Sequence, residues 1–295
     1  MHVIGEHPPS VQALTFSADG RRLASAGKDG TARVWNLAAG GEPLVLTGHQ
    51  GPILALAFHP TADILVSASA DATICWWDLP TASPKMTFIV DNQIPATAVA
   101  FLDSGNLFVY ASGNRINSAE SGQLIVWNPA TQQSSYRRGE PAGVWAVSAR
   151  LDAKQIAWAG GSKRVTVWDV TRQDHLLLPP MKTGVGTLAL APDGSCVAAG
   201  ENESIRVWSV ADRQEQPMLA GHKGRVSSLA FSPDSRTLAS GGWDRRVIFW
   251  DIASSTMRQS FDWGVGRVLA LGFAPDGLIA AAAGDNGRVV VWDLE

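Results

Sequence analysis

The sequence predicts an all-β protein in which one unit of short antiparallel strands is repeated along the chain. The clearest copy runs from Gly221 to Asp251 and contains three apolar segments, Val226 to Phe231, Thr237 to Ser240 and Val247 to Asp251. Segments of this length, rich in β-branched and aromatic residues and bounded by Gly, Pro, Ser and Asp, are typical of strands joined by tight loops. No stretch sustains a helical hydrophobic period, which favours strands throughout.

The unit recurs seven times, and each copy closes on a tryptophan. Successive closing tryptophans lie 40 to 42 residues apart, except for one interval of 50 residues. They are Trp35, Trp77, Trp127, Trp168, Trp208, Trp250 and Trp292. Because a fixed period indicates one repeat architecture, we predict a single domain over 1–295. Its repeats lie at approximately 1–40, 41–82, 83–131, 132–172, 173–212, 213–254 and 255–295.

The Gly-His opening and Trp-Asp closing of these units resemble the WD40 repeat family. Asp follows the closing Trp in four units, as Asp78, Asp169, Asp251 and Asp293. The resemblance covers nearly the whole chain and implies a seven-bladed β-propeller. In that fold each repeat forms one four-stranded antiparallel sheet, or blade, and the blades stand radially around a central channel.

The two ends of the chain predict how such a ring closes. A lone blade has two apolar faces that it cannot cover itself, so neighbouring blades must stack, and a ring leaves no end uncovered. The last repeat stops at its third strand, Val289 to Asp293, whereas a spare segment, His2 to Ile4, precedes the first repeat. We therefore predict that this N-terminal segment supplies the outermost strand of the last blade.

The third repeat is longer than the others. The interval from Phe101 to Trp127 is 26 residues, against 19 from Phe58 to Trp77, so about seven extra residues fall in the polar stretch 113–120. Two interpretations remain open, a loop that tolerates added length and a loop that contacts a partner.

Histidine, serine, aspartate and tryptophan recur together at fixed spacings in three repeats. The sets are His7, Ser25, Asp29 and Trp35; His49, Ser67, Asp71 and Trp77; and His222, Ser240, Asp244 and Trp250. They resemble the structural tetrad of the WD40 family, in which hydrogen bonds tie the loop leading into a blade to its inner strands. A catalytic triad needs one exposed nucleophile beside an oxyanion hole, so three equivalent buried sets argue for a structural role and no catalytic residue is assigned.

The other four repeats lack this histidine. Its position holds Asn92, Glu140, Met181 and Gly264, and the serine position of the fourth repeat holds Trp158. Because a half-made buried network is costly, we expect these blades to have lost the set as a unit and to depend on packing.

Composition narrows the remaining functional classes. A net charge of -3 with 17% charged residues describes an ordinary surface and does not indicate direct nucleic-acid binding. Cys75 and Cys196 lie in separate repeats, which predicts no disulfide framework and favours a reducing, cytoplasmic location. His2, His59 and His175 are scattered, so no metal or cofactor is predicted. No signal peptide or apolar run of about 18 residues occurs, and we predict no membrane insertion.

Five residues are candidates for binding a partner. Arg225 and Arg267 stand immediately before the first apolar segment of the sixth and seventh repeats, which places them at the channel mouth in neighbouring blades. Trp263, Trp243 and Trp145 occupy nearby loop or strand-start positions, with Trp263 as the expected apolar anchor beside Arg267. Tryptophan and arginine are enriched in interface hot spots. Packing between blades is the alternative role for the tryptophans.

We therefore interpret the chain as a non-catalytic scaffold that binds another protein or peptide, as a monomer or as a subunit of a larger complex. A second interpretation is a reader of anionic peptides or ligands at the channel mouth, unless Asp262 and Asp285 neutralise the arginines. A third is a propeller enzyme with its site in the channel, which would need a converging titratable set that the repeats do not display.

Overall fold

Twenty-eight strands and two single-turn 3-10 helices make up the described part of the chain, residues 2–114, 121–150 and 155–294 of this computed structural model. The first strand is β1 (His2–Glu6). The strands of the first three complete blades are β2 (Val11–Phe16), β3 (Arg22–Gly27), β4 (Ala32–Asn36) and β5 (Leu44–Leu46); β6 (Ile53–Phe58), β7 (Ile64–Ser69), β8 (Thr73–Asp78) and β9 (Ser83–Ile89); and β10 (Ala96–Leu102), β11 (Leu107–Ser112), β12 (Gly122–Asn128) and β13 (Gln133–Glu140).

The next three blades contain β14 (Val144–Ala149), β15 (Gln155–Gly160), β16 (Val165–Asp169) and β17 (Asp174–Leu177); β18 (Leu188–Leu190), β19 (Cys196–Glu201), β20 (Ser204–Ser209) and β21 (Leu219–Ala220); and β22 (Val226–Phe231), β23 (Thr237–Gly242), β24 (Arg246–Asp251) and β25 (Thr256–Asp262). The seventh blade contains β26 (Val268–Phe273), β27 (Ile279–Gly284) and β28 (Arg288–Asp293). The 3-10 helices are Asp91–Gln93 and Asp103–Gly105.

The seven sheets form a closed ring. In six of the sheets all four strands follow one another in sequence and form an antiparallel meander; the seventh is a three-stranded meander to which β1 is added. The first strands of successive blades contact one another from β2 through β6, β10, β14, β18 and β22 to β26, and β26 contacts β2. This confirms the predicted seven-bladed propeller of four-stranded blades.

The N-terminal strand closes the ring, as predicted. β1 pairs antiparallel with β28, with Val3 opposite Val290, and the last sheet has the order β1-β28-β27-β26. Gly5 lies so close to the first blade that an added Cβ would stand 2.3 Å from the Trp35 ring. A glycine is therefore needed where the closing strand crosses the seam between the last blade and the first.

Small residues fill the second strand of the blades because both faces of each sheet are covered. In β27 the sequence IAAAAG is buried from its second residue onward. Successive side chains alternate between faces. Ala281 therefore packs towards the first blade, and Ala282 packs in the layer shared with the sixth. The core consists of seven such apolar layers, one in each gap between described blades.

Two faces of the ring carry different connections. The loops that lead into each first strand and the turns between second and third strands share one side, here called the inter-blade face. The turns that follow the first strands lie on the opposite, hairpin-turn face. The insertion of the third repeat falls between β11 and β12, hence on the inter-blade face, and its residues 115–120 lie outside the described chain. No helix among the described residues is long and apolar enough to cross a membrane.

Candidate functional site

The His-Ser-Asp-Trp set of the second repeat forms a connected hydrogen-bond chain. The Trp77 indole N–H donates to Ser67 Oγ over 2.8 Å, and His49 Nε2 lies 2.7 Å from the same oxygen. The other ring nitrogen, Nδ1, lies 3.1 Å from Asp71 Oδ2. His49 belongs to the loop before β6 and Ser67 to β7, so the chain of bonds ties the inter-blade loop to the second strand.

The first and sixth repeats contain the same connections. In the sixth, His222 Nε2 lies 2.7 Å from Ser240 Oγ and its Nδ1 lies 3.0 Å from Asp244. In the first, the His7 ring is turned over, with Nδ1 towards Ser25 at 2.9 Å and Nε2 towards Asp29 at 3.2 Å. Trp35 and Trp250 donate to the respective serines over 2.9 and 2.8 Å.

The protonation states suit a structural role. Burial lowers the pKa of His49, despite the neighbouring carboxylate, so the ring is neutral at pH 7. Burial also acts to raise the pKa of Asp71, but hydrogen bonds from Thr73 and from the Gln50 N–H outweigh it and hold the pKa below its usual value. Ser67 then donates to the neutral ring, which donates to Asp71. Each polar side chain of this His-Ser-Asp-Trp set therefore has a hydrogen-bond partner.

The fourth blade does not depend on packing alone, contrary to our expectation. Trp158, at the serine position, donates its indole N–H to Glu140 Oε1 over 2.9 Å. Glu140 occupies the histidine position and also binds Arg138, whose Nε lies 2.8 Å from the same oxygen. The pair thus replaces histidine and serine together. The sequence already contained this signal, because the fourth repeat has an acid, Glu140, at the histidine position and an indole, Trp158, at the serine position.

Three closing tryptophans keep an indole N–H that has lost its acceptor. The Nε1 atoms of Trp168, Trp208 and Trp292 are buried and have no hydrogen-bond partner in the described chain. An unsatisfied buried donor costs about 1–3 kcal/mol. These blades therefore lack the serine and the histidine but contain the indole donor, which stays unpaired among the described residues.

The central channel contains two cavities, each lined by both polar and apolar residues. The cavity at the inter-blade mouth has a volume of about 820 Å³, and the one towards the hairpin-turn face about 520 Å³. Leu and Phe side chains line the second cavity together with one small residue from each of the seven first strands, namely Thr15, Ala57, Ala100, Ser148, Ala189, Ala230 and Gly272. Of the residues lining the two cavities, Arg225 alone is ionisable. The described residues also contain no cluster of His, Cys, Asp or Glu side chains placed to hold a metal.

Two arginines flank one indole at the channel mouth. Arg225 and Arg267 directly precede β22 and β26, and their guanidinium carbons lie 5.9 and 5.1 Å from the Trp243 ring centroid. Trp243 remains 45% exposed. The residues that directly precede the first strands of the first four blades are uncharged: Ser10, Pro52, Pro95 and Gly143. We call Arg225, Trp243 and Arg267 the mouth site.

The two arginines of the mouth site differ in charge compensation. Arg267 donates through Nε to Asp285 Oδ2 over 2.7 Å, and its backbone N–H donates to Oδ1 over 2.8 Å. Asp262 instead accepts the Gly264 N–H. Arg225 has no ion-pair partner among the described residues, and its guanidinium packs beside Gly186, 2.9 Å from where a Cβ would stand. The uncompensated charge at the mouth therefore belongs to Arg225.

The other two candidate tryptophans are placed differently from each other. Trp145 is half-buried in the mouth cavity, where its ring lies 2.3 Å from the place that a Cβ of Gly184 would occupy. Trp263 does not lie beside Arg267 as an anchor. It packs between the sixth and seventh blades, with its ring centroid 5.4 Å from Phe261 and 3.6 Å from Trp292. The structure therefore brings Trp145 and Trp243 together with Arg225, and leaves Trp263 in an apolar layer.

Seven blades form a closed ring, and in three of them a His-Ser-Asp-Trp hydrogen-bond chain connects the preceding loop to the second strand. This architecture is that of a β-propeller built from sequence repeats. The family model "WD domain, G-beta repeat" matches residues 1–36, 41–78, 175–209, 213–251 and 258–293. Since these matches cover more than half of the chain, the protein belongs to the WD40-repeat family. The matches omit 79–174, where the structure has the blade with the insertion and the blade with the Glu140–Trp158 pair.

Curated relatives resemble this chain over most of its length. A periodic tryptophan protein 2 homolog of Neurospora crassa is 23% identical over 86% of this chain and 40% of the relative. Protein FIZZY-RELATED 1 of Arabidopsis thaliana is 24% identical over 85% and 52%, and Striatin-3 of Mus musculus is 23% identical over 88% and 36%. The chain thus spans about half or less of the length of these relatives.

Proposed function

We propose that this chain is a non-catalytic platform that binds another protein or peptide at its inter-blade face, with the mouth site as the centre of contact. The observation that carries the proposal is a half-exposed indole flanked by two guanidinium groups. Cation–π attraction, about 0.5–1 kcal/mol at an exposed site, favours this arrangement of the indole and the guanidinium groups. Membership of the WD40-repeat family supports a binding role, because a rigid ring presents loops at fixed positions.

The mouth site suits a segment that carries an acidic or phosphorylated side chain. Arg225 supplies a permanent, uncompensated charge, and a guanidinium binds carboxylate or phosphate through paired hydrogen bonds. Trp243 supplies apolar surface next to that charge. Recognition of an anionic peptide is therefore the binding mode that we propose.

The proposed setting is the cytoplasm, where the chain acts alone or as a subunit of a larger assembly. The support for this setting is that Cys75 and Cys196 are free thiols, as is usual where a reducing environment keeps cysteines unpaired. Burial raises the pKa of each thiol, which keeps it in the unreactive protonated form.

Charge reversal at the mouth site tests the proposal. The partner is recovered by pull-down from the native organism, purified, and titrated against Arg225→Glu and Trp243→Ala variants by isothermal titration calorimetry. We expect each variant to weaken binding about tenfold or more, with little change in melting temperature because both side chains are exposed. To test Arg267 as well, we would use Arg267→Gln. Arg267→Glu would place a second carboxylate next to Asp285 and destabilise the fold.

The matched control is a pair of exposed arginines on the hairpin-turn face, Arg21→Glu with Arg236→Glu. Binding that survives the mouth-site variants and is lost in this pair would place the contact on the opposite face and contradict the proposal.

A further inference from the structure

A groove leaves the channel mouth and follows the seam between the fifth and sixth blades. Its cavity has a volume of about 670 Å³. Asn202 and Arg225 line both this cavity and the mouth cavity, so the two form one continuous surface. Farther along, the lining includes Glu203, and at the outer end Met218. We call this surface the seam groove.

The seam groove exists because the fifth blade has a short outer strand. β21 contains two residues, which pair with Ser204 and Ile205, whereas β25 in the sixth blade contains seven. Ser204, Ala220 and Gly221 are the small residues of its lining. At Gly221 an added Cβ would lie 2.5 Å from Met257 Cε and 2.9 Å from Trp250, so the chain there must remain without a side chain.

The charges along the groove are separated and uncompensated. Arg225 and Lys182 have no ion-pair partner among the described residues, and neither does Glu203, which is exposed. Glu201 is different, because it is buried and accepts the Lys182 backbone N–H. Met218 is 54% exposed at the rim. The groove therefore presents two cations, Arg225 at the mouth and Lys182 elsewhere in the lining, an anion, Glu203, and an apolar contact, Met218, at its outer end.

We propose that the seam groove binds an extended segment of a protein partner. Its acidic side chain meets Arg225, a basic side chain meets Glu203, and an apolar side chain packs on Met218. The proposal rests on the proposed function, because Arg225 belongs to the mouth site as well. The distance from the first to the fourth strand of a blade is three strand spacings, or about 14 Å. An extended peptide spans this distance with about four residues.

The groove thus predicts a motif in which the acidic and apolar residues are about four positions apart, with Lys or Arg between them. A random-peptide library displayed on phage is selected on the full chain. Enriched peptides are then synthesised with a fluorescent label, and their affinities are measured by fluorescence anisotropy. We expect this motif to dominate the enriched peptides.

The variants Arg225→Glu, Glu203→Lys and Met218→Asp should each weaken binding of these peptides about tenfold or more. Exchanging the basic residue of the peptide for Glu should restore its binding to Glu203→Lys, an effect that misfolding would not produce. Lys28→Glu changes an exposed charge on the inter-blade face of the first blade and serves as the matched control.

Three outcomes overturn the proposal: no peptide is enriched, the enriched peptides lack the motif, or they bind Glu203→Lys and Met218→Asp as well as the wild type. If Arg225→Glu and Trp243→Ala weaken binding while the other two variants do not, the groove is wrong and the mouth site stands. If none of the four matters, both proposals fail.

Discussion

Replacing Ala282 by serine tests whether an unpartnered indole destabilises the seventh blade. In the sixth blade, Ser240 accepts the Trp250 N–H over 2.8 Å and lies opposite Ile248, two residues before that tryptophan. Ala282 occupies the same place in its sheet, because it lies opposite Val290 and Trp292 follows two residues later. It is also fully buried in the same apolar layer as Trp292. A serine hydroxyl at this position therefore reaches the unsatisfied donor.

The expected gain follows from the bonds that the new hydroxyl makes. A typical intramolecular hydrogen bond adds about 0.5–1.5 kcal/mol, and satisfying the Trp292 N–H removes part of its desolvation penalty. The serine proton has an acceptor in the Val290 carbonyl, just as Ser240 donates to the Ile248 carbonyl at 3.3 Å. Desolvation of the added hydroxyl group opposes this gain. We expect a net stabilisation of about 1 kcal/mol, or about 2 °C in melting temperature for a chain of this size.

The matched control is Ala281→Ser, on the same strand and equally buried but facing the first blade. The indole of that layer, Trp35, is already bonded to Ser25, so the new hydroxyl finds no unsatisfied donor. We expect it to destabilise the chain by about 1–3 kcal/mol. Differential scanning calorimetry measures both variants. Equal losses of stability in the two would refute the reasoning about Trp292.

Three further changes test the network, the closing strand and the response to acid. His49→Ala removes the centre of a buried chain of bonds and should cost about 2–4 kcal/mol; an unchanged melting temperature would show that these bonds add no net stability. Deleting residues 1–5 should expose the edge of β28 and produce oligomers in size-exclusion chromatography, so a monodisperse truncation of wild-type stability would mean that the ring closes in another way. Burial lowers the pKa of His49 from its usual 6.5, so the unfolded chain binds a proton at this histidine more readily than the folded chain, and stability falls as the pH drops below about 6.5. The pKa of Asp71 is also lowered, which adds a further loss of stability below about pH 4. A melting temperature that stays constant from about pH 7.5 to 5 would contradict this sign.

The fold was predictable because its signals are local and periodic. A closing tryptophan at a nearly constant spacing, with turn residues between short apolar runs, specifies the blades one by one. The missing fourth strand of the last repeat and the spare segment at the start then specify the closure. Each of these signals is a pattern in the sequence itself, and none depends on which side chains contact each other between neighbouring blades.

The mouth site was only partly predictable, because its geometry depends on contacts between segments that are distant in sequence. Arg225 and Arg267 could be placed at the mouth from their positions before two first strands. The neutralisation of Arg267 depends on Asp285, 18 residues later, in the turn between β27 and β28. Trp263 is a near neighbour of Arg267 in sequence, but its ring stacks on Phe261 and packs against the buried Trp292, in the layer between blades.

The structural network of the sixth blade also positions the mouth site. Asp244, which is bound to His222, accepts the Lys223 backbone N–H over 2.8 Å, two residues before Arg225. Asp244 also follows Trp243 directly in the turn between β23 and β24. The same buried carboxylate therefore fixes the loop that carries the free cation and the turn that carries the exposed indole. Because groups that are already ordered lose less entropy when a partner binds, we expect the tetrad of this blade to support the recognition that we propose for the mouth site.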